Sequence, residues 1–217
     1  MRTLPPQALD PFKLPHLAFA FDSRNPCGLV ADASGNVSRW LDRSGRNRDL
    51  TGAGAAMPVF TPGNGLLFNG VANSLVSAAV TRTQPVTMYL VLLQVAGNTS
   101  VTGGASNNTL RMLQLNLQLS NGGGAACTNS ALAAGTFGVV AAVHNGASSS
   151  IKVNRGAPVT GNPGTNGGTV LTLGQRGDGA GFCNCRVKAL LEFTVAHDEA
   201  TQARIVAALI RRYGIVE

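Results

Sequence analysis

The chain has 217 residues, of which 44% are hydrophobic and 12% charged, and it carries a formal net charge of +7. That apolar content builds one sizeable core and excludes a disordered chain, although the charged fraction is low against the roughly 25% of an ordinary domain. The positive excess is spread thinly and lacks interleaved aromatics, which excludes the usual footprint of a nucleic-acid binder.

Residues 1–16 read as an extended, Pro-rich arm. Pro5, Pro6, Pro11 and Pro15 fix φ and remove amide donors, so neither a helix nor a central strand fits. They also interrupt any apolar stretch of signal-peptide type, and no run elsewhere approaches the ~20 apolar residues of a membrane span. A product made in the cytoplasm, with no membrane insertion, is therefore expected. The apolar side chains of the arm need cover, either on their own domain or on a neighbouring subunit. Leu4, Pro5, Pro6, Phe12 and Leu14 are the candidate partner-binding residues.

From residue 17 the pattern becomes that of many short strands separated by Gly- and Asn-rich turns. Leu17–Phe21 opens the series, and Val37–Trp40 follows the turn Ala33–Asn36. Leu66–Phe68 and Leu75–Ser77 flank the turn dipeptide Asn69-Gly70. Val86–Leu93 is the longest continuous apolar run, as expected of a central strand buried on both faces, and Leu110–Leu119 alternates like a strand with one wet face. Phe137–Val143, Ser150–Val153, Val170–Leu173 and Cys185–Phe193 complete the set.

The end of the chain changes period. Ile205, Ala208, Leu209 and Tyr213 make one apolar stripe, Asp198 or His197 can cap its start, and Gly214 can end it, so the spacing predicts a helix over 197–213. No linker or internal repeat divides residues 17–217, which read as one sandwich including that helix.

The chemistry-bearing residues are sparse. No Asp or Glu occurs between Asp49 and Asp178, and Glu192 stands alone on the last strand, so the two opposed carboxyls of a glycosidase are not expected. His16, His144 and His197 lie in an arm, a turn and a helix start, and no nucleophile elbow is present. The four cysteines have no metal-knuckle spacing, and Cys183 and Cys185 fall side by side as free thiols. Arg39, Arg43, Arg46 and Arg48, offset by Asp42 and Asp49, read as a charge-mixed turn. Neither an enzyme nor a bound cofactor or metal is expected.

Several segments in order resemble the concanavalin A-like lectin/glucanase superfamily, in the laminin-G-like form of phage virion and bacterial surface proteins. They are Val37-Ser-Arg-Trp40-Leu-Asp42-Arg-Ser44-Gly45 with Asp49-Leu50, the hairpin Gly65-Leu-Leu-Phe68-Asn69-Gly70 to Leu75, Pro85-Val-Thr-Met-Tyr-Leu-Val, Leu171-Thr-Leu-Gly174, and Glu192 to Tyr213-Gly-Ile215. Asn69 and Asn73 stand where that group has aspartates. The resemblance implies an all-β, two-sheet antiparallel jelly-roll sandwich with an extended N-terminal arm and one C-terminal α-helix. It further implies a non-enzymatic virion structural protein of a tailed bacteriophage, a capsid decoration or head/tail appendage subunit made without a signal peptide. Its expected partners are other virion proteins and further copies of itself. The alternative is a lectin-like adhesion module recognising host-surface glycans.

Overall fold

The computed structural model describes residues 9–96, 100–104, 111–113, 117–122 and 127–217. Leu4, Pro5 and Pro6 of the arm lie outside them. In chain order the first strands are β1 (Leu17–Asp22), β2 (Leu29–Ala31), β3 (Val37–Trp40), β4 (Leu50–Thr51), β5 (Val59–Thr61), β6 (Gly65–Asn69) and β7 (Leu75–Ser77). Next come β8 (Val86–Ala96), β9 (Ser100–Gly103), β10 (Arg111–Leu113), β11 (Gln118–Ser120), β12 (Cys127–Thr128) and β13 (Phe137–His144). The last are β14 (Ser149–Val153), β15 (Val159–Gly161), β16 (Thr172–Leu173) and β17 (Asn184–Phe193), followed by the helix α1 (Glu199–Tyr213).

The strands make two antiparallel sheets. One runs β15-β14-β13-β8-β17-β6-β5 with β1 also on β17, and the other runs β12-β11-β10-β9-β16-β7-β4-β3-β2. Between them lies the main core, which includes Phe19, Phe21, Trp40, Phe68, Met88, Leu90, Leu92 and Leu190. The outer face of the first sheet carries a second core, where Tyr89, Val91, Val139, Leu191 and Phe193 meet Ile205, Leu209 and Tyr213 of α1. The apolar run Val86–Leu93 is thereby explained: its alternate residues feed two cores, so neither face is wet. Each fully buried side chain of this size contributes about 1.5–3 kcal/mol.

Local chemistry sets the connections. Asp42 Oδ1 accepts from the amides of Ala20 and Ser44, each at 2.9 Å, which ties the turn after β3 to β1. Trp40 is wholly buried against Phe21, with ring centroids 5.5 Å apart. Asn73 accepts from the Asn69 amide and donates to the carbonyls of Ala55 and Met57 at 3.0 and 2.8 Å. An aspartate could not donate there, which is a physical reason for the amide at this position. Gly174 turns at φ +86, and a Cβ on it would meet the Phe68 ring at 2.2 Å.

Helix α1 begins at the cap Asp198, whose carboxylate accepts from Thr201 N at 2.7 Å, and ends at Gly214 in the left-handed region. Two expectations change. The run Leu110–Leu119 is not one strand: in its described part β10 and β11 pair antiparallel, Met112 opposite Leu119, while residues 110 and 114–116 lie outside the described residues. For the Pro-rich segment, the sequence leaves cover open between its own domain and a neighbour. The described residues from Leu9 onward pack on their own domain, in a short turn rather than a fully extended arm. Asp10 caps a short 3₁₀ turn at Pro11–Lys13, and Phe12 is buried in the second core with Leu9 and Leu14 packed against it.

Candidate functional site

Strand β17 is shared along one edge by two partners laid end to end. Its first half pairs with β6, Arg186 opposite Leu67, and its second half pairs with β1, Asp22 opposite Ala189. Where β1 leaves, Ser23 N still donates to Lys188 O at 2.9 Å, and β17 shifts register between Val187 and Ala189. An extra residue on one strand bends it and re-aims its side chains. The junction opens a recess of about 580 Å³ lined by Ser23, Arg24, Phe60, Pro62, Gly63, Lys188 and Tyr213. A second recess of about 610 Å³ shares Arg24 and continues past Leu9, Asp10, Pro11, Ala208, Arg211 and Arg212.

Asp22 is the pin that holds this region. Fully buried, it accepts from the Tyr213 hydroxyl and Arg43 at 2.6 Å each, and from Arg212. Burial and the Asp22 charge push the Tyr213 phenol far above its ordinary value, so it stays protonated as a donor. Arg212 and Arg43 also lie over the Phe12 ring at 5.0 and 5.1 Å, which fastens the N-terminal segment to the helix end. Arg24 donates to the carbonyl of Arg212 and forms no ion pair among the described residues. Lys188 is likewise without a carboxylate there. Its ammonium sits 3.8 Å from the centroid of Phe137, and burial, then Arg24, hold its pKa below the usual lysine range.

The ten carboxylates all lie among the described residues, and each has structural work. Glu192 is buried and paired with Arg82, which also donates to the carbonyls of Gly103 and Val170 at 3.1 and 2.8 Å. Asp32, Asp42 and Asp49 organise turns, Asp178 pairs with Arg176, and Glu217 with Arg155. Asp10 and Asp198 cap helical turns, Asp22 pins α1, and Glu199 faces Lys152 Nζ at 3.8 Å. A third recess of about 420 Å³, between Thr83, Gln84, Asn145, Gly146, Thr165 and Gly167, carries no charge. Of the three recesses, only the second presents a carboxylate, Asp10.

The arginine-rich turn is consumed by local bonds. Arg39 pairs with Asp49, Arg43 with Asp22, and Arg46 and Arg48 donate to the carbonyls of Leu17 and Ala18. Among the cations without an ion pair among the described residues, Arg24 and Lys188 line the first recess and Arg24 and Arg211 the second, although they sit far apart in sequence. The strand junction and the end of α1 bring them to the same two recesses, so no local pattern announces them. Cys183 and Cys185 are buried side by side, Sγ to Sγ 2.8 Å, while Cys27 is exposed and Cys127 is buried with its thiol donating to Ser149 O at 3.5 Å. Among the described residues no group of three or more His, Cys, Asp or Glu could hold a metal ion, and no helix is long and apolar enough to cross a membrane. Of the candidate partner-binding residues that are described, Phe12 is buried in the second core and Leu14 is half-buried against it.

No family model matches the chain, and no curated protein matches it in sequence. Solved structures do match in shape. Trypanosoma rangeli sialidase aligns with a TM-score of 0.59 at 16% identity, over 91% of this chain and 33% of the sialidase. An arabinofuranosidase bound to arabinofuranosyl-α-1,2-xylobiose aligns at 0.59 and 12% identity, over 81% of this chain and 50% of that one. The binding domain of Paraclostridial Mosquitocidal Protein 1 aligns at 0.63 and 11% identity, over 90% of this chain and 52% of that one. The chain thus spans a third to about half of these proteins, and the likeness shows an all-β sandwich fold.

Proposed function

We propose that the chain is a non-catalytic attachment module, and more narrowly a virion structural protein of a tailed bacteriophage, a capsid decoration or head/tail appendage subunit. The observation that carries the non-catalytic half is the occupation of every carboxylate by a cap, a turn or an ion pair. Glycoside hydrolysis normally needs two carboxyls facing one bond across a cleft. Here a single one, Asp10, lines any of the three recesses, and its Oδ1 accepts from Phe12 N at 3.1 Å. Two of the matching structures are named as hydrolases, yet the chain spans only part of each, and their activity does not transfer with the fold.

The virion half rests on the ordered segment resemblance and on the charge-poor body between Asp49 and Asp178. In that setting the partners are other virion proteins and further copies of the chain. Immunogold labelling of particles released by the producing host, with antibody to the purified chain, tests it. Label at a fixed place on capsid or tail is expected; particles without label would overturn it. The second reading is a lectin-like adhesion module for host-surface glycans. It is favoured by the recess at the β1–β6 junction, which offers cations, a hydroxyl and an apolar wall.

A further inference from the structure

We propose that the recess where β1 gives way to β6 is a binding site for acidic saccharides, gripping a carboxylate or sulfate group of a sugar unit between Arg24 and Lys188. The inference rests on the attachment-module reading and names the ligand class for it. The first ground is charge. The lining contains two cations and no carboxylate, and neither cation has an acidic partner among the described residues. Like charges held together without a counter-ion repel, and an incoming oxyanion relieves that repulsion while gaining charge-assisted hydrogen bonds. Burial, and after it the Arg24 charge, lowers the pKa of Lys188, and the second of these causes is that repulsion.

The second ground is shape and polarity. Phe60 and Pro62 give the recess apolar lining, Ser23 adds a hydroxyl, and the buried Tyr213 has its own hydroxyl already committed to Asp22. A sugar ring has an apolar C–H face and a rim of hydroxyls, which fits such a lining. The adjoining recess leads from Arg24 to Arg211, so a second acidic unit of a chain has a cation to reach. Arg212 there is held by Asp22, and Asp10 by the Phe12 amide.

Other polyanions fit less well. An acidic peptide adding as a strand would need a free sheet edge beside the recess. The outer edge of β5 is already used: Phe60 N donates to Gly35 O and Val37 N to Pro58 O, each at 2.8 Å. Single-stranded nucleic acid is held by a row of stacking aromatics along a cationic track, whereas this lining offers one half-buried ring, Phe60, beside the buried Tyr213, and a short patch of charge.

The test is binding by the full chain, measured calorimetrically at low salt, to polygalacturonate, dextran sulfate, neutral dextran and a single-stranded oligonucleotide. Binding to polygalacturonate or dextran sulfate and not to neutral dextran is expected, and the preference between the two assigns the anion. Arg24→Glu, at an exposed position, should weaken binding about tenfold or more. Lys188→Glu should do the same where its thermal unfolding matches the parent. Arg204→Glu makes the same change in net charge on the exposed face of α1 and should leave binding within about twofold. The proposal fails if neither acidic polymer binds, if Arg204→Glu weakens binding as much as Arg24→Glu, or if the oligonucleotide binds more tightly than both. Cleavage of a bound saccharide would sink the non-catalytic reading and leave the site standing.

Discussion

Removing one side of the Arg82–Glu192 pair leaves the other charge stranded between the sheets, where both side chains are almost wholly buried. A change of that kind costs about 3–5 kcal/mol. Glu192→Gln should therefore lower the denaturation midpoint sharply, and replacing both partners with apolar residues should recover much of the loss; a Glu192→Gln chain as stable as the parent would refute the structural role. His144 makes a pH-dependent contribution beside this pair. Burial, then the Arg82 charge, holds its pKa down to about 3 from 6.5, and its Nδ1 lies 2.8 Å from the Asn121 amide. In the unfolded chain the imidazole takes up its proton near 6.5, so between 6.5 and about 3 the unfolded state binds the extra proton. Stability is unaffected by this group above pH 6.5 and falls below it by up to about 1.4 kcal/mol per unit. Unfolding of His144→Gln and the parent across pH 4–7 checks this: the parent should lose more stability on acidification. The sequence shows Glu192 and His144 but not their burial, because Arg82 reaches Glu192 from 110 positions away.

The elements differ in how plainly the sequence declares them. Helix α1 was legible from cap to terminus because every signal is local: Asp198, the stripe through Ile205 and Leu209, and Gly214. Asp198→Ala should cost about 1 kcal/mol and Leu209→Ala about 2–5 kcal/mol, measured by chemical denaturation. An unchanged midpoint in Leu209→Ala would mean that the helix does not close the second core. The run Leu110–Leu119 was misleading for the opposite reason. Alternation reports which face is apolar and carries no information about whether the strand continues or pairs with itself, as β10 and β11 do. The junction on β17 lies further still from local pattern. Two strands that are each ordinary in sequence share one edge, and the recess exists only because they end there.

At the scale of the molecule, the two-core sandwich followed from apolar runs too long for one wet face, whereas the fate of the N-terminal segment did not. Apolar side chains among prolines require cover without saying whose. Phe12 finds it beneath Arg43 and Arg212, in the same core as Leu209. Phe12→Ala should therefore lower the thermal midpoint by several degrees, and deleting residues 9–16 together should lower it further through the added loss of Leu14. An unchanged midpoint in Phe12→Ala would contradict the packing of Phe12. The recess beside that segment is the open part of an otherwise neutral body whose carboxylates are all engaged, and the account stands on binding without turnover. The most direct measurement is prolonged incubation of the purified chain with an acidic oligosaccharide, following complex formation and the release of reducing ends together. Saturable binding with no new reducing ends is the predicted result. Release of reducing ends in proportion to the concentration of the folded chain would contradict it.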